Sequence, residues 1–494
     1  MRQLVWWAVA ALLLTGCTVG PDYRQPLLAT ASEYEGAQVS AQDAPLSVPL
    51  ATEADLSQWW TMLGDGELES LIGRALKSNL DLLTAVSRVR EARQQEIVAG
   101  AAGLPHISAS GSAFKFHSDG SPLASTFASG SSAVASSAAA SSAAMTGPQP
   151  TNITLFSAGF DATWEIDVFG GVRRSVEAAK ANTEAAQWKV HDGQVTLTAE
   201  IANDYLTLRA TQARLAILRG EAKSQADTLA IVNARRSTGF VTELDVNQQQ
   251  ALLSNTAAQI PGLVADIRVM EHAIAVLMAE QPEAMAQELD ATAPLPAIPK
   301  QLPVGLPSDL LRRRPDVRSA ERQLAAATAQ EGVAIADLYP KFNLLGALTF
   351  ASNKLSTLFM GTSFGEVGGG FINWPLFKGG EIRANIKQKQ EEEQQAYYAY
   401  QKAVLGAVKD AEDALVRYTT EQQRLMALEQ SVAFGQSSVT IAVQQYNAGT
   451  VNYVNVLTAQ SNLFSAQDQL AQSRGQLATD LASLYKALGG GWQP

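Results

Sequence analysis

The chain has 494 residues, 46% of them hydrophobic, with one cysteine, four histidines and a formal net charge of −11 at pH 7. That length has room for two or three ordinary domains, and the acidic balance argues against nucleic acid or an anionic lipid surface as partner. A lone cysteine excludes a disulfide within the chain, and after the N-terminal leader no stretch approaches the ~18 uninterrupted apolar residues of a membrane helix.

In chain order, the first element is a leader. Met1, Arg2 and Gln3 open it, and Leu4 to Leu14 form an almost unbroken apolar run. The run is shorter than the ~20 residues of a membrane span but suits a secretory signal. It ends in Leu14-Thr15-Gly16-Cys17, an aliphatic residue, two small ones and cysteine. This is a lipobox: cleavage leaves residues 1–16 as signal peptide and a diacylated Cys17. The covalent lipid is the only non-protein group expected. Thr18 stands where an aspartate would favour inner-membrane retention, so the reading is the outer membrane. Acyl chains attach a protein to a leaflet without making it span one.

Residues 17–60 read as an extended, lipid-anchored segment with equatorial character, and 61–280 as a first repeat of helix, strand, loop, strand and two long helices. Residues 281–307 form a connector marked by Pro294, Pro296, Pro299, Pro303 and Pro307; 308–488 repeat the plan, and 489–494 are a tail. The repetition is visible in the letters. Thr238-Gly239-Phe240-Val241 recurs as Ala448-Gly449-Thr450-Val451, 210 residues on (239 to 449), and Leu215 matches Leu425 at the same offset. Leu104-Pro105-His106-Ile107 recurs as Tyr339-Pro340-Lys341-Phe342, 235 on (105 to 340). The surplus in the first half is a Ser/Ala/Gly run from Ser118 to about Pro150, which buries too little apolar surface to fold alone.

From Phe156 to Val168 the pattern alternates without a fault. Phe156, Ala158, Phe160, Ala162, Trp164, Ile166 and Val168 share one face; Ser157, Gly159, Asp161, Thr163, Glu165 and Asp167 share the other. Such a strand suits a membrane barrel, apolar to lipid and polar to a lumen, with Asp161, Glu165 and Asp167 lining the lumen. The Phe342–Phe350 series repeats the theme, and Phe364–Phe377 is Gly-rich and less clear. Four strands per chain cannot close a barrel, since small ones need about eight. Oligomerisation follows by counting, which leaves two, three or four copies open.

Val172 to about Ser237 contains no proline and spaces Leu197, Ile201, Leu208 and Leu215 as a helix does; Glu381 to about Asn447 follows suit with Leu415, Leu425, Leu428, Val432 and Val439. Each would reach roughly 100 Å if continuous, far beyond a ~30 Å bilayer core. The fold class read from these patterns is an α+β membrane protein built from two internal repeats.

Several segments together resemble the outer membrane factor family, most closely its NodT-type lipoprotein branch. They are Val19 to Pro26, Trp164-Glu165-Ile166-Asp167-Val168-Phe169-Gly170, Trp374-Pro375-Leu376-Phe377, Leu306 to Arg318 and Leu484 to Trp492. The resemblance implies a homotrimer with a twelve-stranded transmembrane β-barrel, four strands per chain, continued by a long periplasmic α-helical barrel. It implies a passive exit duct for small molecules, working with a periplasmic membrane-fusion adaptor and an inner-membrane pump of the resistance-nodulation-division type. A polypeptide duct of type I secretion would share the fold; an envelope scaffold would explain Cys17 and the helices but not the strands.

The resemblance also places the gate at the periplasmic tip, where Gly239 and Gly449 fall. Thr242 and Asn452 are N-cap types, and Thr242-x-x-Asp245 resembles a capping box. Some members hold the tip with a tyrosine bonded to an aspartate, positions taken here by Tyr446 and Asp245. Val451 replaces an arginine of some members, and Asn455 and Thr458 stand where acidic residues often ring the pore, so narrowing falls to Asn455, Leu457 and packing. No enzyme signature appears: His106, His117, His191 and His272 lack paired metal spacing. Arg312 to Arg314 read as a surface cluster at a helix start.

Overall fold

The fold is taken from a computed structural model, which describes residues 18–26, 28, 31, 33–35, 46–50, 55–118, 151–237, 239 and 241–493. Cys17 and most of the Ser118–Pro150 loop lie outside the described residues. In chain order the elements are β1 (Val48–Leu50), α1 (Gly66–Ser78), α2 (Leu80–Ala101), β2 (His106–Ser118), β3 (Thr151–Ile166), α3 (Gly171–Ser237) and α4 (Glu243–Leu277). There follow β4 (Gln301–Pro303), α5 (Pro307–Arg313), α6 (Pro315–Ala336), β5 (Lys341–Ser352), β6 (Phe364–Asn373), α7 (Glu381–Asn447) and α8 (Tyr453–Ala487).

The internal repeat is exact in the length of three helix pairs. α2 and α6 have 22 residues each, α3 and α7 have 67, α4 and α8 have 35. It reaches single hydrogen bonds. Trp164 Nε1 donates to the Gly103 carbonyl at 2.9 Å, and Trp374 Nε1 to that of Leu338 at 3.1 Å. Each acceptor sits two residues before the proline that precedes a strand, Pro105 or Pro340. The indole thus brackets the strand entry in both halves, leaving its ring on the surface.

The chain forms two compact units that do not follow the sequential repeats. One gathers residues 1–23, 94–179 and 327–391; the other 24–93, 180–326 and 392–494. The first contains an antiparallel sheet of order β2-β3-β5-β6, to which each repeat contributes two neighbouring strands. Strand β3 begins earlier than the alternation predicts and ends at Ile166 rather than Val168, because Asp167 turns to the start of α3.

The second unit holds the main core. Trp59 stacks on Tyr485 with centroids 5.0 Å apart, and the unit also buries Leu68, Leu71, Ile72, Ile201, Leu208, Leu481 and Leu484. Here the connector does more than link: Val48–Leu50 and Gln301–Pro303 pair in parallel, a two-stranded sheet the sequence patterns did not indicate. The expected C-terminal tail is also packed. Trp492 donates its indole N–H to the Arg313 carbonyl at 3.0 Å, and a Cβ on Gly490 would stand 2.9 Å from the Leu56 carbonyl oxygen. The arginine cluster is not merely superficial. Arg314 ends α5 in the extended conformation that Pro315 imposes, and its guanidinium donates to Asp316 at 2.7 Å, Asp410 at 3.2 Å and the Ala487 carbonyl at 3.1 Å.

Candidate functional site

The sheet has two chemically distinct faces. Antiparallel register sets Ser108 opposite Asp161, Ser112 opposite Ser157 and Asn343 opposite Glu165. Ser108 Oγ donates to Asp161 Oδ2 at 2.7 Å, and the Ser112 and Ser157 hydroxyls meet at 2.7 Å. Asp161 and Glu165 therefore share one polar face with Ser110, Thr163 and Thr349. The opposite face carries Ile107, Phe160, Leu344, Leu348 and Ile372, exposed by 69, 61, 40, 48 and 64%. In water such a face would be a liability; against hydrocarbon it is the surface required. The edges β2 and β6 have no partner strand within the chain among the described residues.

Asp167 departs from its expected place. It lies one residue past β3, where its carboxylate accepts from the Arg173 amide at 2.9 Å and from Arg173 Nε at 3.3 Å. This satisfies an orphan donor in the first turn of α3, so Asp167 belongs to the strand–helix junction and not to the row of Asp161 and Glu165.

Four helix ends meet at two tight turns, α3 to α4 and α7 to α8. Gly239 and Gly449 adopt φ of 81° and 73°, conformations open to glycine at no steric cost. Thr242 and Asp245 form the anticipated capping box: the Thr242 amide and hydroxyl donate to Asp245 Oδ2 at 2.9 and 2.7 Å, and the Asp245 amide donates back to Thr242 Oγ1 at 3.3 Å. Asn452 occupies the matching N-cap of α8, but its side chain makes no capping hydrogen bond. Arg236 and Glu243 add an exposed ion pair across the first turn at 2.5 Å.

Tyr446 and Asp245 are not joined by a hydrogen bond among the described residues. The Asp245 carboxylate is committed to its cap, while Tyr446 lies under the Arg235 guanidinium, 5.4 Å from its centroid, and against the Tyr453 ring at 5.2 Å. A buried polar link between the hairpins runs instead through residues the sequence did not single out, beside an exposed hydrogen bond from Arg235 to Asn447 Oδ1 at 3.1 Å. Tyr453 Oη donates to Gln249 Oε1 at 2.8 Å, and Gln249 Nε2 donates to the Gln225 carbonyl at 2.8 Å. Gln249 is fully buried. Burial, then the neighbouring Tyr446 and Asp245, push the Tyr453 phenol up to about 12, so it remains a donor at physiological pH. Gln249 stands in a run of three glutamines, and nothing in the sequence pairs it with Tyr453 or Gln225.

Around this link Val232, Tyr453 and Val456 form a dry cluster with Val241, Val246, Ala442, Tyr446 and Leu457. Leu457 thus packs between helices. Asn455 and Thr458, one turn apart on α8, are exposed, and the Thr458 hydroxyl bonds back to the Val454 carbonyl at 2.8 Å. Among the described residues no group of three His, Cys, Asp or Glu side chains could hold a metal ion, and no helix is long and apolar enough to cross a membrane.

Residues 71–280 and 306–490 match the family described as outer membrane efflux protein. Nodulation protein T of Rhizobium leguminosarum bv. viciae is 32% identical over 98% of this chain and 93% of its own length. The pyoverdine export outer membrane protein OpmQ of Pseudomonas aeruginosa is 31% identical over 98% of this chain and 96% of its own. Among solved structures, the outer-membrane channel OprN superposes with a TM-score of 0.84 at 33% identity, covering 97% of this chain and all of that one.

Proposed function

The chain belongs to the outer membrane efflux protein family, and from that premise we propose that three copies close a twelve-stranded barrel in the outer membrane, continued by a periplasmic helical barrel as a passive exit duct. The observation that carries this reading is the sheet: four antiparallel strands, polar on one face, apolar and exposed on the other, open at both edges. Open edges and an apolar face cannot coexist in a membrane unless neighbouring copies pair β6 with β2 and close the ring.

In this reading Asp161 and Glu165 face the lumen, the lipid on Cys17 anchors each copy, and Trp164 and Trp374 sit at the periplasmic border of the hydrocarbon. The helical tip is the gate, lined by Asn455 and Thr458, and a periplasmic adaptor and an inner-membrane resistance-nodulation-division pump engage it. Energy and selection of cargo reside in that pump; the duct itself catalyses nothing. The test is planar-bilayer recording of the purified, lipidated protein together with its native mass. Discrete channels from a species of three copies are expected. A well-folded monomer without conductance would leave an envelope scaffold in place of the duct.

A further inference from the structure

The residues that directly follow Cys17 are held in a fitted groove at the base of the sheet. Thr18 packs on Gly170, where a Cβ would lie 2.8 Å from Thr18 Cγ2 and 2.9 Å from its Cα. The Val19 amide donates to the Phe169 carbonyl at 3.1 Å. Gly20 lies against Gly332 so closely that a Cβ on Gly20 would stand 2.6 Å from the Gly332 Cα. Gly332 itself sits inside α6, where glycine weakens a helix relative to alanine. Its presence is explained by close approach, since a Cβ there would meet Arg174 Cδ at 2.9 Å.

Arg174 closes the groove. Its side chain is 3% exposed, and its donors are distributed along the segment: Nε to the Val19 carbonyl at 3.1 Å, Nη2 to the Gly20 carbonyl at 3.2 Å and to Asp22 Oδ1 at 2.7 Å. Nη1 donates to Glu177 Oε2 at 2.8 Å, which ties the guanidinium to its own helix α3. A buried cation whose remaining donors are met by two backbone carbonyls and one carboxylate recognises a path of main chain. The surface beside the groove is apolar and aromatic. Phe169 stacks on Tyr339 with centroids 4.6 Å apart, and Leu104, Trp374, Leu376 and Phe377 are exposed by 65, 55, 79 and 90%.

We propose that this groove is a docking site for residues 18–22, with Arg174 as its positioning residue, and that the docked segment fixes the depth at which the acyl chains of Cys17 enter the membrane. The inference rests on the reading that Cys17 is acylated and that the sheet lies in the outer membrane. Only Thr18 separates the lipidated residue from the first hydrogen-bonded one, Val19. The anchor is then a rigid spacer that registers the apolar sheet face with the hydrocarbon. A loose tether would hold the protein at the membrane without setting that register.

The test uses the full chain expressed in a Gram-negative envelope, with three readouts. Palmitate labelling reports acylation, hydrogen exchange of the peptide covering residues 18–23 reports docking, and the fraction of heat-resistant, membrane-inserted oligomer reports insertion. Gly20→Val alters only the segment and leaves the groove intact. It should be acylated like wild type, exchange at least tenfold faster over residues 18–23, and insert several-fold less. Arg174→Gln should do the same; should it misfold, Gly20→Val carries the test. A four-residue Gly-Ser insertion between Thr18 and Val19 keeps docking but slackens the link to the lipid. Slow exchange with reduced insertion in that variant supports the spacer. Insertion equal to wild type would overturn it, as would slow exchange in Gly20→Val. An unlabelled wild type that still forms channels would remove the acylation on which the proposal rests and leave the duct standing.

Discussion

At the scale of single residues, Tyr453 rather than Tyr446 makes the buried polar link at the tip. Its hydroxyl serves a Gln249 side chain with no access to water, so Tyr453→Phe leaves that amide oxygen unpaired. The net cost of such a bond is about 1 kcal/mol, equivalent to roughly a fivefold shift toward the open tip if opening breaks it. Single-channel recordings of Tyr453→Phe should show that rise in open probability, and an unchanged trace would remove the link from gating. Because the folded phenol is raised to about 12, its contribution is present at neutral pH and is lost only as pH rises through that value. Wild-type gating through this bond should therefore be flat from about pH 6 to 10. Asp245→Ala removes the N3 half of the capping box, with a cost of about 1 kcal/mol to the first turn of α4. It should speed amide exchange there and affect conductance less than Tyr453→Phe; the reverse ranking would restore Asp245 as a lock.

At the scale of elements, strand β3 shows both the reach and the limit of pattern reading. Period-2 alternation identified the two faces, since alternate side chains of a strand must point opposite ways. It overran the strand's end at Asp167 because a capping carboxylate and a lumen carboxylate look alike in a list of letters. The β1–β4 pair was invisible for another reason: three-residue strands containing Pro49 and Pro303 have no periodicity and exist only through each other. The face assignment itself is testable. In the proposed barrel Asp161 would be repeated once per copy, so Asp161→Asn should lower the cation-to-anion permeability ratio, by about twofold if the charge acts through water at an effective dielectric near that of a surface. Reversal potentials across a KCl gradient measure it, and an unaltered ratio would place Asp161 away from the conducting path.

At the scale of the whole molecule, each compact unit draws on both sequence repeats. The sheet takes β2 and β3 from one half and β5 and β6 from the other, and the buried core joins Trp59 to Tyr485 across almost the full chain. The sheet is thus built jointly by the two halves, and the N-terminal segment packs on the last helix. A fragment of residues 18–305 should consequently show no cooperative thermal transition and little protease resistance, while co-expression with residues 306–494 should restore both. A cooperatively folding first half would show the repeats to be independent domains.

The sequence by itself determined the long helices, the two faces of β3 and the family. Hydrophobic period, proline-free runs and the repeated glycine and proline landmarks are properties of neighbouring residues, and they located α3 and α7 to within a residue. Tertiary structure decided what depends on partners distant in the chain. Arg314 became a half-buried tie between helices, Trp492 a half-buried residue held by the Arg313 carbonyl, and Asp245 a capping-box carboxylate with no hydrogen bond to Tyr446. The same arginine, tryptophan or aspartate has several satisfactory hydrogen-bond partners, and only the packed chain brings one of them within reach.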